Sequence, residues 1–183
     1  GRPYRETDPV APLGVYGRSK LAGEQAVAEA NPDHIVMRTS WVYSPFGNNF
    51  VQTMLRLAET KDEIGVVSDQ IGNPTSAYVI ADGILAVAKQ LTAQNAGDVS
   101  GLYHLAGAGS ASWFDFAQAA FSFAAEAGAK TPRVRAISTA DYPTVARRPA
   151  DSRLNTALFE TTFGYSPQEW RQSLAEVLKR FDI

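Results

Sequence analysis

Apolar residues recur along the chain with two periods, and the alternation of the two outlines the elements. From Tyr16 to Ala30 the spacing predicts a helix with Leu21, Ala22, Ala26 and Ala30 on one face, stopped by Asn31-Pro32. Ile35-Val36-Met37 followed by Trp41-Val42-Tyr43 reads as one short buried strand, and Ser44 to Asn48 as a loop. Phe50 to Glu59 places Phe50, Met54, Leu57 and Ala58 on one helical face, and Ile64 to Val67 is a short strand. Asp69 to Thr75 is a long polar loop. Ser76 to Leu91 predicts a helix with a stripe of Ile80, Ile84, Val87 and Leu91. Leu102 to Ala106 is a strand, Trp113 and Phe116 lead a further helix, and Arg133 to Ile137 is a strand. The last helix is expected to begin at Ser166-Pro167-Gln168-Glu169, a capping box with proline in the first turn, and to bury Trp170, Leu174, Val177, Leu178 and Phe181. Strands alternating with helices, without an internal repeat, predict an α/β fold.

Composition narrows the class. At 183 residues with 45% hydrophobic and 20% charged residues, the chain has the length and make-up of one soluble globular domain. Its net charge of −2, with no basic cluster beyond Arg147-Arg148, makes nucleic acid an unexpected partner. The best apolar run, Ala77 to Ala88, is broken by Asp82 and Gly83, so no membrane span is expected. The absence of cysteine removes disulfides, thiolate metal sites and cysteine nucleophiles, and fits a reducing compartment. The chain opens Gly1-Arg2-Pro3-Tyr4, without an initiator Met or signal-peptide pattern. The expectation is therefore a piece of a longer protein.

The candidate chemistry begins at Tyr16 and Lys20, four apart at a helix start and so on one face, one turn apart. An ammonium beside a phenol favours the phenolate and suits a tyrosine to exchange a proton with a carbonyl or alcohol oxygen. Small residues around Tyr16 leave room for a flat ligand. Ser40, Trp41 and Tyr43 lie past the carboxyl end of the next strand, where open α/β sheets bind substrates. Other features read as structural. Gly107-Ala108-Gly109 imitates a dinucleotide fingerprint, but Ser112 holds the third glycine's place and Lys130 the place of the ribose-binding acid. Ser110 or Ser112 reads as a helix cap. His34 and His104 lack metal-ligand spacing. Trp113, Phe114, Phe116, Phe121 and Phe123 read as core aromatics, and no hydrolase triad assembles.

Several blocks together carry a resemblance: Thr7-Asp8-Pro9 with Pro12-Leu13, Tyr16 to Glu24, Arg38 to Tyr43, Gly47 to Val51 and Asp69 to Thr75. Tyr103-His104, Ser112 to Ala117, Arg148-Pro149 and Ser152-Arg153-Leu154 extend it over nearly the whole chain. The chain resembles the dTDP-4-dehydrorhamnose reductases, extended short-chain dehydrogenase/reductases. The resemblance implies the C-terminal part of a Rossmann-type NAD(P)-binding enzyme with its substrate-binding domain. Residues 1–43 would be the remainder of the Rossmann domain, and 44–183 mainly the substrate-binding domain, interleaved with a late Rossmann strand near 101–106.

It also implies roles. Tyr16 would donate the proton to a sugar C4 carbonyl while NADPH or NADH delivers hydride, giving dTDP-L-rhamnose. Lys20 would depress the tyrosine pKa and bond the nicotinamide ribose, with Thr39 and Ser40 also at the cofactor. Trp41 would contact the deoxysugar, and Asn49, Gln70, Asn73 and Arg148 the sugar nucleotide. A guanidinium suits a pyrophosphate, although Arg148 reads equally as a solvated neighbour of Arg147. Tyr78 stands where some members carry a magnesium-site glutamate, so no metal is expected. The Gly-rich phosphate turn would precede Gly1, so the 183 residues alone are expected to bind little cofactor and to be inactive. The missing strands would leave a sheet edge open to association, as a homodimer or with another chain. The implied role places the protein in the bacterial cytoplasm. Two alternatives stand beside this reading: another nucleotide-sugar reductase or epimerase of the family, and a non-catalytic regulatory subunit of the same fold.

Overall fold

The computed structural model describes residues 1–93, 98–144, 146 and 148–181. Arg147, the basic neighbour of Arg148, lies outside them. The elements run α1 (Val15–Ala30), β1 (Ile35–Arg38), β2 (Val42–Tyr43), α2 (Phe50–Thr60), β3 (Glu63–Val67), β4 (Ile71–Gly72), β5 (Thr75–Ser76) and α3 (Ala77–Thr92). They continue with β6 (Gly101–His104), β7 (Ala111–Ser112), α4 (Trp113–Glu126), β8 (Arg133–Ile137), α5 (Ala157–Phe163) and α6 (Trp170–Leu178). The fold is α/β, as expected. Its strands pair two by two: β1 with β6, β2 with β5 and β3 with β8 in parallel, β4 with β7 antiparallel.

Three clusters build the core. Phe116, Tyr43, Trp170 and Leu174 are the fully buried centre of one, which joins α2, α4 and α6. A second gathers Met54, Ala58, Ile64, Val66, Ala117 and Phe121 between α2, β3 and α4. Tyr103, Leu105, Phe159 and Phe163 centre another beneath α3, where Tyr103 meets Phe163 edge-on at 4.8 Å. Aromatic rings of this size bury large apolar areas and set the helix spacing.

Several expectations need correction. The strand expected from Ile35 to Tyr43 is two strands, because Trp41 between them adopts φ +45°, a left-handed conformation that breaks the pleat. The loop from Asp69 to Thr75 contains β4 and the first residue of β5. The last helix starts at Trp170, capped by the Glu169 side chain on the Arg171 N–H, not at Ser166. The Ser166 hydroxyl instead bonds Glu160. The stripe expected on α3 is also rotated: Val79, Gly83 and Val87 are buried while Ile84 and Leu91 are exposed. Gly83 explains this, since a Cβ there would meet Leu105 Cδ2 at 2.5 Å, and the helix packs on its smallest residue. Helix α5, absent from the sequence expectations, is short, and its buried Phe159 and Phe163 fall in a stretch too brief to show a period.

Helix α1 is the outlier. It forms as expected, yet buries none of its sixteen residues. A bidentate pair ties it to β1: Arg38 Nε donates to Glu24 Oε1 at 2.8 Å and Arg38 Nη2 to Oε2. The segment before it is tied elsewhere. The Tyr4 N–H donates to the Arg153 carbonyl at 2.7 Å, and the Glu6 carboxylate accepts the His104 N–H at 2.9 Å.

Candidate active site

The carboxyl end of β1 opens a cleft of about 390 Å³, within the range of small-molecule sites. Thr39, Ser40 and Trp41 follow β1 directly and line one wall. Tyr16, at the first turn of α1, lines the rim and is 76% exposed. Lys20 stands one turn on, its Nζ 5.5 Å from the Tyr16 ring centroid. The helical spacing that suggested the pair therefore produces a pair in space.

The opposite wall comes from distant sequence. Gln70 is buried, and its Nε2 donates to Thr139 Oγ1 at 3.0 Å. The Asp69 carboxylate accepts both the N–H and the hydroxyl of Thr139, which hold it below the usual carboxylate range. Arg148 and Pro149 complete this side. Their segment is strapped to β4, because the Ile71 N–H donates to Ala150 O and the Ser152 N–H to Ile71 O, both at 2.8 Å. Arg148 is the one charged side chain among the described lining residues, so the cleft favours an anionic ligand.

Not every expected residue reaches the cleft. Asn49 caps α2, its Oδ1 accepting the Gln52 N–H and its Nδ2 bonding Ser44 O at 2.8 Å. Asn73 is a buried hub: Nδ2 donates to Gly109 O at 2.6 Å, while Oδ1 accepts the Leu154 N–H at 2.8 Å. Those bonds join three loops. They place Asn73 in a separate depression of about 370 Å³ bounded by Gly107, Ser110 and Arg153. Tyr43, which sequence position put beside Ser40 and Trp41, is buried in the core, and burial drives its phenol pKa upward. Its hydroxyl bonds Trp170 O at 3.3 Å. Trp113 was expected as a core aromatic but also lines the cleft. The signal was available, since Trp113 stands at the first position of the helix that Ser112 caps, where a half-buried ring can meet both core and cleft. Ser112 caps that helix in a reciprocal box with Asp115.

The glycines of Gly107-Ala108-Gly109 serve packing. A Cβ on Gly107 would lie 2.2 Å from the Pro74 carbonyl oxygen, and Gly109 adopts φ +84°. His104 is fully buried with Nδ1 3.2 Å from Tyr4 O. Burial pushes its pKa below 6.5, against the pull of Glu6. The Tyr78 ring faces the Arg180 guanidinium at 5.7 Å. Among the described residues no three His, Asp or Glu side chains gather into a metal-binding group, and no helix is long and apolar enough to cross a membrane.

Comparison with known proteins agrees with this architecture. The dTDP-4-dehydrorhamnose reductase of Sinorhizobium fredii is 50% identical over 171 residues, which span 93% of this chain and 58% of that protein. A crystal structure of a dTDP-4-dehydrorhamnose reductase from Clostridium acetobutylicum superposes with a TM-score of 0.88 at 37% identity, over 98% of this chain and 60% of that one. The Bacillus anthracis dTDP-4-dehydrorhamnose reductase, solved in complex with NADP, gives 0.85 at 35% identity over the same shares. The chain thus spans about three fifths of the length of its relatives. Residues 1–183 match the family described as the RmlD substrate binding domain, and the chain belongs to that family.

Proposed function

We propose that the full-length protein carrying this chain reduces the C4 ketone of dTDP-4-dehydrorhamnose to dTDP-L-rhamnose with NADPH or NADH. The observation that supports this most directly is the position of Tyr16, paired with Lys20, on the rim of the cleft that Trp41 and Arg148 also line. The dinucleotide supplies the hydride. Tyr16 donates its phenolic proton to the C4 oxygen, and general acid help of this kind contributes about 10²–10⁴-fold. Lys20 favours the phenolate left behind and would hold the ribose, and Thr39 and Ser40 would hold the nicotinamide end.

Trp41 offers an apolar surface to the deoxysugar, Gln70 a fixed amide to its hydroxyls, and Arg148 a guanidinium to the pyrophosphate. Asn49 and Asn73 act from behind, since their amides hold the loops that shape the site. The dinucleotide fits the residues present only in part: Tyr16, Lys20, Thr39 and Ser40 suit the nicotinamide end, while the glycines at 107 and 109 are taken up by loop packing. On this reading residues 1–43 belong with the cofactor-binding domain and 44–183 mainly with the substrate domain. The parallel pairing of β1 with β6 supports an interleaved strand near 101–106.

The same reading places the protein in the cytoplasm. It includes association of the 183-residue chain through its uncovered sheet, as a homodimer or with another chain, which sedimentation tests. The deciding experiment supplies the full-length protein with dTDP-4-dehydrorhamnose and NADPH and identifies the product. Formation of dTDP-L-rhamnose supports the reading; cofactor left unoxidised and no alcohol formed overturn it.

A further inference from the structure

The cleft contains a feature that its lining alone does not explain. Trp41 and Trp113 stack with ring centroids 3.6 Å apart and planes 7° from parallel. That separation leaves the rings almost directly face on face. Their quadrupoles favour an offset or edge-on meeting, so the surroundings impose the arrangement. Trp41 also carries φ +45°, a conformation that bulky side chains rarely adopt and that persists only where neighbours hold it.

The neighbours are identifiable. On the backbone side, the Trp41 carbonyl accepts the N–H of fully buried Thr75 at 3.1 Å. On the ring side, β4 pairs Gly72 with Ala111. A Cβ on Gly72 would lie 2.4 Å from Trp41 Cε2 and 2.6 Å from Nε1, so the indole occupies space that only glycine leaves open. Trp113 follows β7 at the first position of α4, whose reciprocal Ser112–Asp115 cap fixes its backbone. Phe50 packs on the Trp113 ring at 4.6 Å. Trp113 is thus a rigid surface rooted in the core, and Trp41 a strained residue laid upon it.

We propose that Trp113 is a positioning residue, which with Gly72 holds the Trp41 indole in the cleft and so governs how tightly the sugar is held. The proposal rests on the reading of Trp41 as the sugar-facing surface. Trp113 touches no reacting atom in this scheme; Tyr16 and Lys20 remain responsible for the chemical step.

The test uses the full-length enzyme. Face-to-face indoles shield one another's ring protons and shift their NMR signals upfield, read without substrate in protein carrying labelled tryptophan. The parent is expected to show the shift for Trp41, and Trp113→Leu and Gly72→Ala to lose it. In steady-state kinetics Trp113→Leu is expected to raise KM for the dTDP-sugar about tenfold, equivalent to about 1.4 kcal/mol, with kcat changed less than about threefold. Trp113→Phe, which restores a flat ring, recovers most of that loss. Gly72→Ala displaces the indole from its other side and raises KM in the same way, so the inference does not depend on Trp113→Leu folding. A parent without the upfield shift, or Trp113→Leu and Gly72→Ala with unchanged KM, overturns the proposal. A parent that turns over no dTDP-sugar overturns the reading of function instead, and the shift and its loss in Trp113→Leu and Gly72→Ala still decide the stack.

Discussion

Helix α1 and the pair α4 and α6 carry opposite kinds of residue in opposite surroundings. Helix α1 presents Tyr16 and Lys20 and buries nothing. Helices α4 and α6 each bury five residues, and Phe116 meets Trp170 edge-on at 5.7 Å. On the proposed function, the proton donor stands on the element with the fewest partners in a chain that spans three fifths of its relatives' length, and the wall behind Trp41 and Trp113 on the most packed. A group that exchanges protons with a substrate has to remain accessible, whereas a surface that sorts ligands by shape has to stay in place. The two regions are expected to fail differently when altered.

The sharpest separation is expected from Tyr16→Phe. Loss of the hydroxyl lowers kcat/KM by about 10²–10⁴-fold, while the melting temperature stays unchanged because Tyr16 supports no core. A large fall in both would erase the contrast. Phe116→Ala should do the reverse, costing about 3–5 kcal/mol in denaturant unfolding as a cavity opens among Tyr43, Phe50 and Trp170. Ser112→Ala removes the α4 cap and should cost about 1 kcal/mol in the same measurement.

His104 sharpens the comparison along the pH axis. Its pKa is lower in the folded chain than its ordinary 6.5, so the unfolded chain binds more protons between the two values. Its contribution is complete above about 6.5 and is lost as pH falls below it. Unfolding free energy measured against pH should therefore decline more steeply for the parent than for His104→Asn; parallel curves would count against this. The smallest effect is expected on α1, where exposed Val27 changed to Ala should alter stability by less than about 0.5 kcal/mol.

Much of this division was legible in the sequence. The period of α1 and α2 gave their positions, a serine cap marked the start of α4, and four-residue spacing placed Lys20 a turn from Tyr16. What escaped depended on contacts between distant segments. The break at Trp41 comes from Gly72 and Trp113, residues 31 and 72 positions away, and no local propensity announces a left-handed tryptophan. The start of α6 was misplaced because Ser166 and Glu169, although spaced as a box, find separate partners in Glu160 and Arg171. The resemblance offered Asn73 as a sugar-nucleotide contact, and its bonds to Gly109 and Leu154, which join loops distant in sequence, had no local signal.

The left-handed backbone at Trp41 also bears on how this position can vary. Glycine or asparagine would occupy that conformation with less strain. A library randomised at position 41 and screened for thermal resistance alone should drift toward those residues. The same library screened for turnover should return to tryptophan. The difference between the two populations would measure how much stability the protein forgoes to keep an indole in its cleft.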